Sequence, residues 1–324
     1  MIRQAAFTGS ARLLKGGLHC HTTRSDGAMS PEDVIRFHVQ NGYDFLALTD
    51  HRIYNYKNYT DEKITILPGM EIDRNFPDKG VHCFHVVSIG PAREDGNGFE
   101  QDEAYPSGPV HDQFEFQPVL DELHAKKNLT IYCHPEWSGT PAREFDQMKG
   151  NFAMEIWNTG AVTDNELDMN CPYWDELLTQ GQRIYGVATD DGHAPHQHCK
   201  GWVRVNAENN INAILTALEN GAFYSSTGPE IHDFYVNDEG VAVLECSPCS
   251  TIGFRGPLEP TNMYRNADGL ITRAEFRVPS TSLTSAASSA TSRAAAPGPT
   301  RSSLILNKTQ ERLPLPDCSR ENGQ

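Results

Sequence analysis

Short aliphatic and β-branched segments alternate with helix signals along most of this 324-residue chain. The alternation predicts strands near residues 17–21, 44–49, 64–67, 83–89, 129–133, 152–157, 183–188 and 202–206. Helices are predicted between them, at residues 31–41, 114–127, 141–149, 172–180 and 209–220. Strands that alternate with helices are typical of a parallel α/β sheet, and about seven or eight such units predict a barrel.

The pattern changes twice towards the C-terminal end. After Gly228-Pro229 it becomes strand, turn, strand, with a turn at residues 237–240, which predicts a small antiparallel β appendage. From residue 280 to residue 303, 18 of 24 positions are Ser, Thr or Ala. Such a segment buries too little apolar area to offset its conformational entropy. We therefore predict a barrel at residues 1–229, the appendage at 230–279 and a disordered tail at 280–324.

Charge and composition narrow the function classes. The chain has 27 Lys and Arg against 43 Asp and Glu, a net charge of −16, which disfavours nucleic acid as a partner because the phosphate backbone binds basic surfaces. There is no apolar run of about 18 residues and no apolar signal core at the N-terminus, so we predict no membrane partner. Eight cysteines are too sparse for a secreted disulfide scaffold. These features predict a soluble, cytoplasmic protein with a small-molecule substrate, and they leave its oligomeric state open.

Histidines and carboxylates recur where the predicted strands end. In Leu18-His19-Cys20-His21, the alternation of side chains along a strand directs both imidazoles to one face. The carboxyl ends of barrel strands are also where active sites are built. The full set of candidate metal ligands is His19, His21, Asp26, His51, Glu71, His85, His134, Asp191 and His193. The alternative, that they are buried core histidines and helix-capping acids, explains single members better than it explains the set.

The number and type of these ligands predict the metal content. Nine ligands are enough for two or three divalent ions with about three or four ligands each. Mixed imidazole and carboxylate ligands suit zinc, manganese and iron, so the identity of the metal stays open.

The arrangement resembles the polymerase and histidinol phosphatase (PHP) superfamily. The similarity rests on the His-x-His at 19–21, the acid at 26, Thr49-Asp50-His51, and the closing Asp-x-His at 191–193. The runs 186–193 and 223–229 are most similar to its carbaryl-hydrolase-like branch. The resemblance implies a distorted (β/α)7 barrel with a three-ion centre. Two departures are Gly192, where many members carry Ala, and the tail after residue 279.

The resemblance also implies which residues share an ion. It implies a first site of His19, His21, Glu71 and Asp191, a second of Glu71, His85 and His134, and a third of Asp26, His51 and His193, with Glu71 bridging the first two.

Such a centre predicts hydrolysis. A divalent ion lowers the pKa of its water to about 7, so a hydroxide that bridges two ions is a nucleophile at neutral pH. We therefore predict a metal-dependent phosphoesterase for a small phosphorylated substrate, with Glu71, Asp191 and His193 at the reacting centre. Arg24 and Arg52 follow strand ends and are candidates for binding a phosphate or an oxyanion. A carbamate or aryl ester hydrolase with the same centre is one alternative, and a non-catalytic metal-binding scaffold is another.

Overall fold

A computed structural model of the chain describes residues 4–5, 13–78, 82–95, 98–255, 262–266, 271–277, 289–295 and 301–306. Its helices are α1 (Pro31–Gln40), α2 (Gln113–Ala125), α3 (Thr159–Asn165), α4 (Asn170–Thr179) and α5 (Ile211–Glu219). Its strands are β1 (Gln4–Ala5), β2 (Leu14–Gly17), β3 (Phe45–Ala47), β4 (Thr65–Leu67), β5 (Gly69–Asn75), β6 (Cys83–Ile89), β7 (Leu129–Tyr132), β8 (Asn151–Asn158), β9 (Tyr185–Thr189), β10 (Trp202–Val205), β11 (Phe223–Ser226), β12 (Ile231–Val236), β13 (Val241–Cys249), β14 (Thr251–Arg255), β15 (Asn262–Arg265), β16 (Ile271–Arg277), β17 (Ser289–Ala295) and β18 (Arg301–Leu306). The mixed α/β class predicted from the sequence is confirmed.

Two sheets carry the candidate ligands. Sheet 1 has the order β5-β6-β7-β8-β9, and sheet 2 has the order β15-β14-β17-β18-β11-β10-β2-β3-β4. β7, β8 and β9 run parallel, as do β2, β3 and β4, but β5 and β6 are antiparallel. The prediction of a purely parallel sheet is therefore wrong. The connection at residues 76–82 is too short for the crossover of a dozen or more residues that parallel neighbours need.

Single β-bridges join the two sheets beside the candidate ligands. Cys20 bridges Gly192 and His51 bridges Glu71, each in parallel orientation. These bridges bring the chain after β2 next to the chain after β9, and the chain after β3 next to β5. The ladders of the described residues form two separate sheets, so the (β/α)7 barrel stays a prediction.

Helix α1 and the apolar cores follow from local sequence. At the start of the helix predicted at residues 31–41, the side chain of Ser30 accepts a hydrogen bond from the Asp33 backbone N–H, and Pro31 occupies the first helical position. One core, which includes Phe45, Ile131 and Val187, packs strands of both sheets against α5. The burial of these strands on both faces fixes the position of the loops that follow them.

Several elements differ from the sequence prediction. Residues 141–149 contain only a short 3-10 turn at Ala142–Glu144, because the side chains of Gln113 and Gln117 accept hydrogen bonds from backbone N–H groups at 147 and 149. Strand β5 was not predicted, and it contains Glu71 within the strand rather than at the end of β4. Helix α3 was not predicted either; Asn158 is its N-cap, and the Asn158 side chain accepts a hydrogen bond from the Ala161 N–H.

The appendage contains the predicted hairpin of β12 and β13. Its turn is at residues 237–240, where the Asn237 side chain accepts hydrogen bonds from the Glu239 and Val241 N–H groups. These strands belong to a third sheet, of order β1-β12-β13-β16.

Two segments of the predicted tail, β17 and β18, are strands of sheet 2, and Leu306 pairs with Tyr224 of β11. Their strand structure differs from the disorder predicted there, and residues 280–288, 296–300 and 307–324 lie outside the described part of the chain. The division into three parts stays a prediction. Among the described residues, no helix combines the length and the apolar character that crossing a membrane requires.

Candidate metal centre

Glu71 lies at the centre of a cluster of imidazoles. Its side chain is 1% exposed, and its carboxylate oxygens lie close to one ring nitrogen of each of five histidines. These distances are 3.4 Å to His19, 3.2 Å to His21, 3.1 Å to His51, 3.0 Å to His85 and 3.5 Å to His134. The bridge between His51 and Glu71 brings this acid from β5 to the loops that follow the parallel strands.

Asp191 contacts the cluster from the loop after β9. Its Oδ1 lies 3.2 Å from His19 Nε2 and 3.1 Å from His21 Nε2, and its Oδ2 lies 3.7 Å from His134 Nε2. The Asp191 N–H donates to the His19 carbonyl at 3.0 Å, and the His21 N–H donates to the Gly192 carbonyl at 3.0 Å. These backbone bonds fix the position of one loop against the other.

Asp26 forms the exposed side of the cluster. Its carboxylate lies 3.4 Å from His21 Nδ1, 3.5 Å from His51 Nε2 and 3.4 Å from His193 Nε2. The side chain of Asp26 is 54% exposed and that of His193 is 33% exposed, whereas Glu71 is buried. The cluster is therefore open to solvent on the side of Asp26 and His193.

All nine candidate ligands meet in this cluster. The ligand atoms that lie within 4.8 Å of one another form the groups His19, His21, Glu71 and Asp191; His51, Glu71 and His85; His21, Asp26, His51 and His193; Glu71, Cys133 and His134; and His19, Cys133 and Glu155. The first group has the composition implied for the first site. The others differ, because His51 lies beside His85 and because His21 also lies beside Asp26.

The donor set fits divalent cations. His19 Nε2 and His21 Nε2 lie 3.1 Å apart and both lie near the same carboxylates. Asp191 Oδ1 and His51 Nδ1 are buried without a hydrogen-bond partner in the described structure, although both have oppositely charged neighbours at ion-pair distance. Polar atoms that are buried and unpaired are costly unless something else satisfies them. Divalent ions held by the groups that contain Asp191 and His51 would satisfy both atoms.

The carboxylates change the protonation of the imidazoles. Burial opposes the charging of His51, but Glu71, Asp26 and Asp73 outweigh burial and raise its pKa to about 10. Burial likewise opposes charging of His19 and His85, yet neighbouring carboxylates raise the pKa of both rings well above the usual value. Burial opposes ionisation of Glu71, and the imidazoles outweigh that effect and lower its pKa. Without bound ions, imidazoles of the cluster therefore carry protons, and the charge of these protons offsets that of the carboxylates.

Metal uptake is expected to release protons. Because the pKa of His51 is about 10 in the ion-free chain, a proton must leave before its ring nitrogen binds an ion, and the apparent affinity falls as pH falls. We expect about one or more protons per ion between pH 6 and pH 8, measured by calorimetry in two buffers of different ionisation enthalpy. The His111→Asn variant, altered at an exposed histidine, should release the same number. Uptake without proton release would contradict these protonation states.

Glu155 of β8 orients two of the candidate ligands. It is fully buried, and its Oε1 accepts a hydrogen bond from His19 Nδ1 at 2.7 Å, which leaves Nε2 to face the centre. Its Oε2 accepts hydrogen bonds from the His134 N–H at 3.0 Å and from Asn158 Nδ2 at 2.8 Å. The sequence analysis missed this residue. A glutamate within the apolar run 152–156 was the available signal.

Asp50 and Asp190 stabilise loops through hydrogen bonds from the backbone. Asp50 Oδ1 accepts hydrogen bonds from the backbone N–H groups of Thr22 and Ser25. Asp190 accepts three backbone hydrogen bonds from residues 199–201. Both carboxylates therefore maintain the loops next to the candidate ligands.

The two predicted arginines differ in their relation to the cluster. Arg52 forms an ion pair with Asp73, and Asp73 Oδ1 lies 3.3 Å from His51 Nδ1, so this guanidinium is one contact from the centre. The described contacts of Arg24 are with Tyr59 and Asp102. Of the two arginines, the geometry therefore favours Arg52 as the candidate for binding a phosphate or an oxyanion at the cluster.

Gly192 gives space to a buried histidine. A Cβ atom at this position would lie 2.4 Å from Nδ1 of His198, whose side chain is 1% exposed. We expect Gly192→Ala to lower the free energy of unfolding by about 1–3 kcal/mol, as overpacking does. In denaturant unfolding, Gly192→Ala should cost much less when it is combined with His198→Ala. Gly108→Ala, at a position where a Cβ meets nothing within 4 Å, should not lower the free energy of unfolding. An equal cost with and without His198 would contradict the proposed clash.

Residues 17–138 match the family model of the PHP domain. That range contains seven of the nine candidate ligands, and Asp191 and His193 lie beyond it. The structure nevertheless brings both into the same cluster, because β9 is joined to the chain after β2 by the Cys20–Gly192 bridge.

Two curated relatives match shorter segments. A 5'-3' exoribonuclease of Haemophilus influenzae is 33% identical over 73 residues, which are 21% of this chain and 27% of the relative. The DNA polymerase/3'-5' exonuclease PolX of Bacillus subtilis is 44% identical over 41 residues, which are 13% of this chain and 7% of the relative. The matched segments thus span less than a third of either relative.

Similar solved structures are distant. A two-domain protein of Bacteroides vulgatus that contains a predicted PHP-like metal-dependent phosphoesterase has a TM-score of 0.47 at 13% identity, with 91% of this chain and 92% of that chain covered. An amidohydrolase of Chromobacterium violaceum has a TM-score of 0.39 at 16% identity, with 56% and 88% covered. Structural similarities with TM-scores below 0.5 establish neither the fold nor the function of this chain. The carbaryl-hydrolase-like branch finds no support among these proteins.

Proposed function

We propose that this chain is a metal-dependent phosphoesterase that acts on a small phosphorylated substrate. The observation that carries the proposal is the convergence of five histidines on the buried carboxylate of Glu71. The PHP domain match supports it, and both curated relatives are nucleases by name, enzymes that break phosphoester bonds. The net charge of −16 favours a small substrate over a nucleic acid.

We assign two or three divalent ions, of zinc, manganese or iron, to this cluster. The first group would use His19, His21, Glu71 and Asp191, and the exposed group would use Asp26, His51 and His193. Ions bound there would lower the pKa of water and so supply a hydroxide nucleophile at neutral pH. His85 and His134 would complete the set on the other side of Glu71.

The protein's own residues orient the site and admit the substrate. Glu155 fixes the tautomer of His19, and the backbone bonds of Asp191 hold the two ligand loops together. Asp26 and His193 lie on the exposed side, where the phosphate would enter. Arg52, beside Asp73, is the candidate for binding a phosphate oxygen.

We also propose that the site lies at the mouth of a distorted seven-stranded barrel. Its ring would run β2-β3-β4/β5-β6-β7-β8-β9, with β4 and β5 sharing one position and the Cys20–Gly192 and His51–Glu71 bridges joining the two sheets. The cytoplasmic location remains a prediction.

The reaction class is tested with a substrate panel. Ion-free protein is reconstituted with zinc, manganese or iron and assayed on a phosphomonoester, a phosphodiester and an activated aryl ester. We expect one of the two phosphoesters to be hydrolysed at least about tenfold faster than the aryl ester, because phosphoester cleavage develops more charge for the centre to stabilise. Preference for the aryl ester, an alternative without support among the relatives, would contradict the proposal. Ion binding without any turnover would favour a scaffold.

A further inference from the structure

Trp137 presents an exposed indole beside the metal centre. Its side chain is 46% exposed, and its ring centroid lies 5.0 Å from the His134 ring and 5.7 Å from the His85 ring. Both imidazoles also lie near Glu71, at 3.5 Å and 3.0 Å. The indole therefore borders the cluster.

The loop that carries Trp137 is held by several hydrogen bonds. The Ser138 N–H donates to the His134 carbonyl at 3.0 Å, and Ser138 and Thr140 are fully buried. Glu136 Oε2 accepts a hydrogen bond from the Met169 N–H at 2.7 Å, which ties this loop to the start of α4. The loop therefore holds the indole at the surface, with nearly half of it open to solvent.

A second exposed apolar side chain lies on the adjoining segment. Five large apolar side chains are exposed in the described residues, and two of them, Trp137 and Met169, belong to the segments that Glu136 joins. Near Asp26 and His193, by contrast, the cluster is exposed through charged and polar groups. The centre thus has a polar opening and an apolar border.

We propose that Trp137 stacks on an aromatic ring of the substrate, next to the phosphoester that is cleaved. The substrate class would be a phosphoester that carries a planar ring, either an aryl group or a nucleobase. Stacking on an aromatic side chain tolerates either ring, because both have a π-face. This inference rests on the proposed phosphoesterase function.

Substitution at Trp137 separates stacking from catalysis. With metal-loaded protein, Trp137→Ala should lower kcat/KM about tenfold for phenyl phosphate or a nucleoside monophosphate, chiefly through KM, and less than about twofold for methyl phosphate. Trp137→Phe should retain most of the activity on the ring-bearing substrates. A greater loss with the nucleotide identifies a nucleobase as the stacked ring, and a greater loss with phenyl phosphate identifies an aryl group. Phe114→Ala removes another exposed ring, at the start of α2, and should leave kcat/KM unchanged for the ring-bearing substrates and for methyl phosphate.

A binding measurement tests the inference without turnover. Calorimetric titration with phenylphosphonate and methylphosphonate should show preference for the phenyl compound in the wild-type protein, and Trp137→Ala should abolish that preference. An unchanged preference in Trp137→Ala, or equal losses on all substrates, would overturn the stacking role. Wild-type protein that hydrolyses no phosphoester would overturn the proposed function instead, and the phosphonate titration would still decide the role of Trp137.

Discussion

Replacing Glu71 by glutamine is expected to remove most of the bound metal and nearly all activity. The substitution keeps the shape of the side chain but removes the negative charge that lies within 3.5 Å of five imidazoles. Three of the groups that could hold ions share this carboxylate, so each of them loses a ligand. We expect a loss of at least one equivalent of ion and a fall in kcat of at least about 10³-fold.

Metal analysis, kinetics and circular dichroism together test this expectation. The circular dichroism spectrum should be retained, because β5 stays paired with β6 along its whole length, from Gly69 opposite Ile89 to Asn75 opposite Cys83. Glu94→Gln, at an exposed glutamate, is the matched control and should keep full metal content and activity. A Glu71→Gln protein with wild-type metal content would show that this carboxylate is a structural partner of the imidazoles and no ligand.

Replacing Asp26 by asparagine is expected to remove about one ion while the rest of the centre remains. Asp26 is the carboxylate that lies near both His51 and His193, and these two imidazoles come from different loops. The group around Glu71 and Asp191 keeps its ligands. We expect phosphoester turnover to fall about 10²- to 10³-fold, the cost of one lost electrostatic contact to the reacting atoms.

The loss of activity in the Asp26→Asn variant is expected to depend on the substrate. Phosphoesters should lose more activity than activated aryl esters, because more charge develops on the transferred group. Asp61→Asn, at an exposed aspartate, is the control and should leave both rates unchanged. Equal metal content in mutant and wild type would show that Asp26 is only a turn residue in Ser25-Asp26-Gly27 and that the centre holds two ions.

The candidate ligands could be predicted because strand geometry is local. The alternation of side chains in His19-Cys20-His21 directs both rings to one side, and the ends of parallel strands meet at one edge. Glu71 was chosen correctly as a member of the cluster but expected at the end of β4. It lies within β5, which pairs antiparallel with β6, and no periodicity in the sequence marks this pairing.

The orienting residues could not be predicted because they depend on contacts between distant segments. Glu155 lies 136 positions from His19, and its role appears only when β8 lies beside the chain after β2. The partners of Arg24 come from separate loops at residues 59 and 102, so its distance from the centre could not be judged from its place after a strand. The local sequence pattern thus identifies candidate ligands, whereas the residues that orient those ligands are found only from the tertiary structure.

Metal titration of ion-free protein, with bound ion and phosphoester hydrolysis measured in the same samples, tests the central claim most directly. The account predicts no turnover without metal, turnover that rises with bound ion and saturates at two to three equivalents, and complete loss on chelation with recovery when ion returns. Thermal stability should rise over the same range, because ions bind the folded state. Less than one equivalent bound, or hydrolysis that a strong chelator leaves unchanged, would contradict a metal-dependent phosphoesterase.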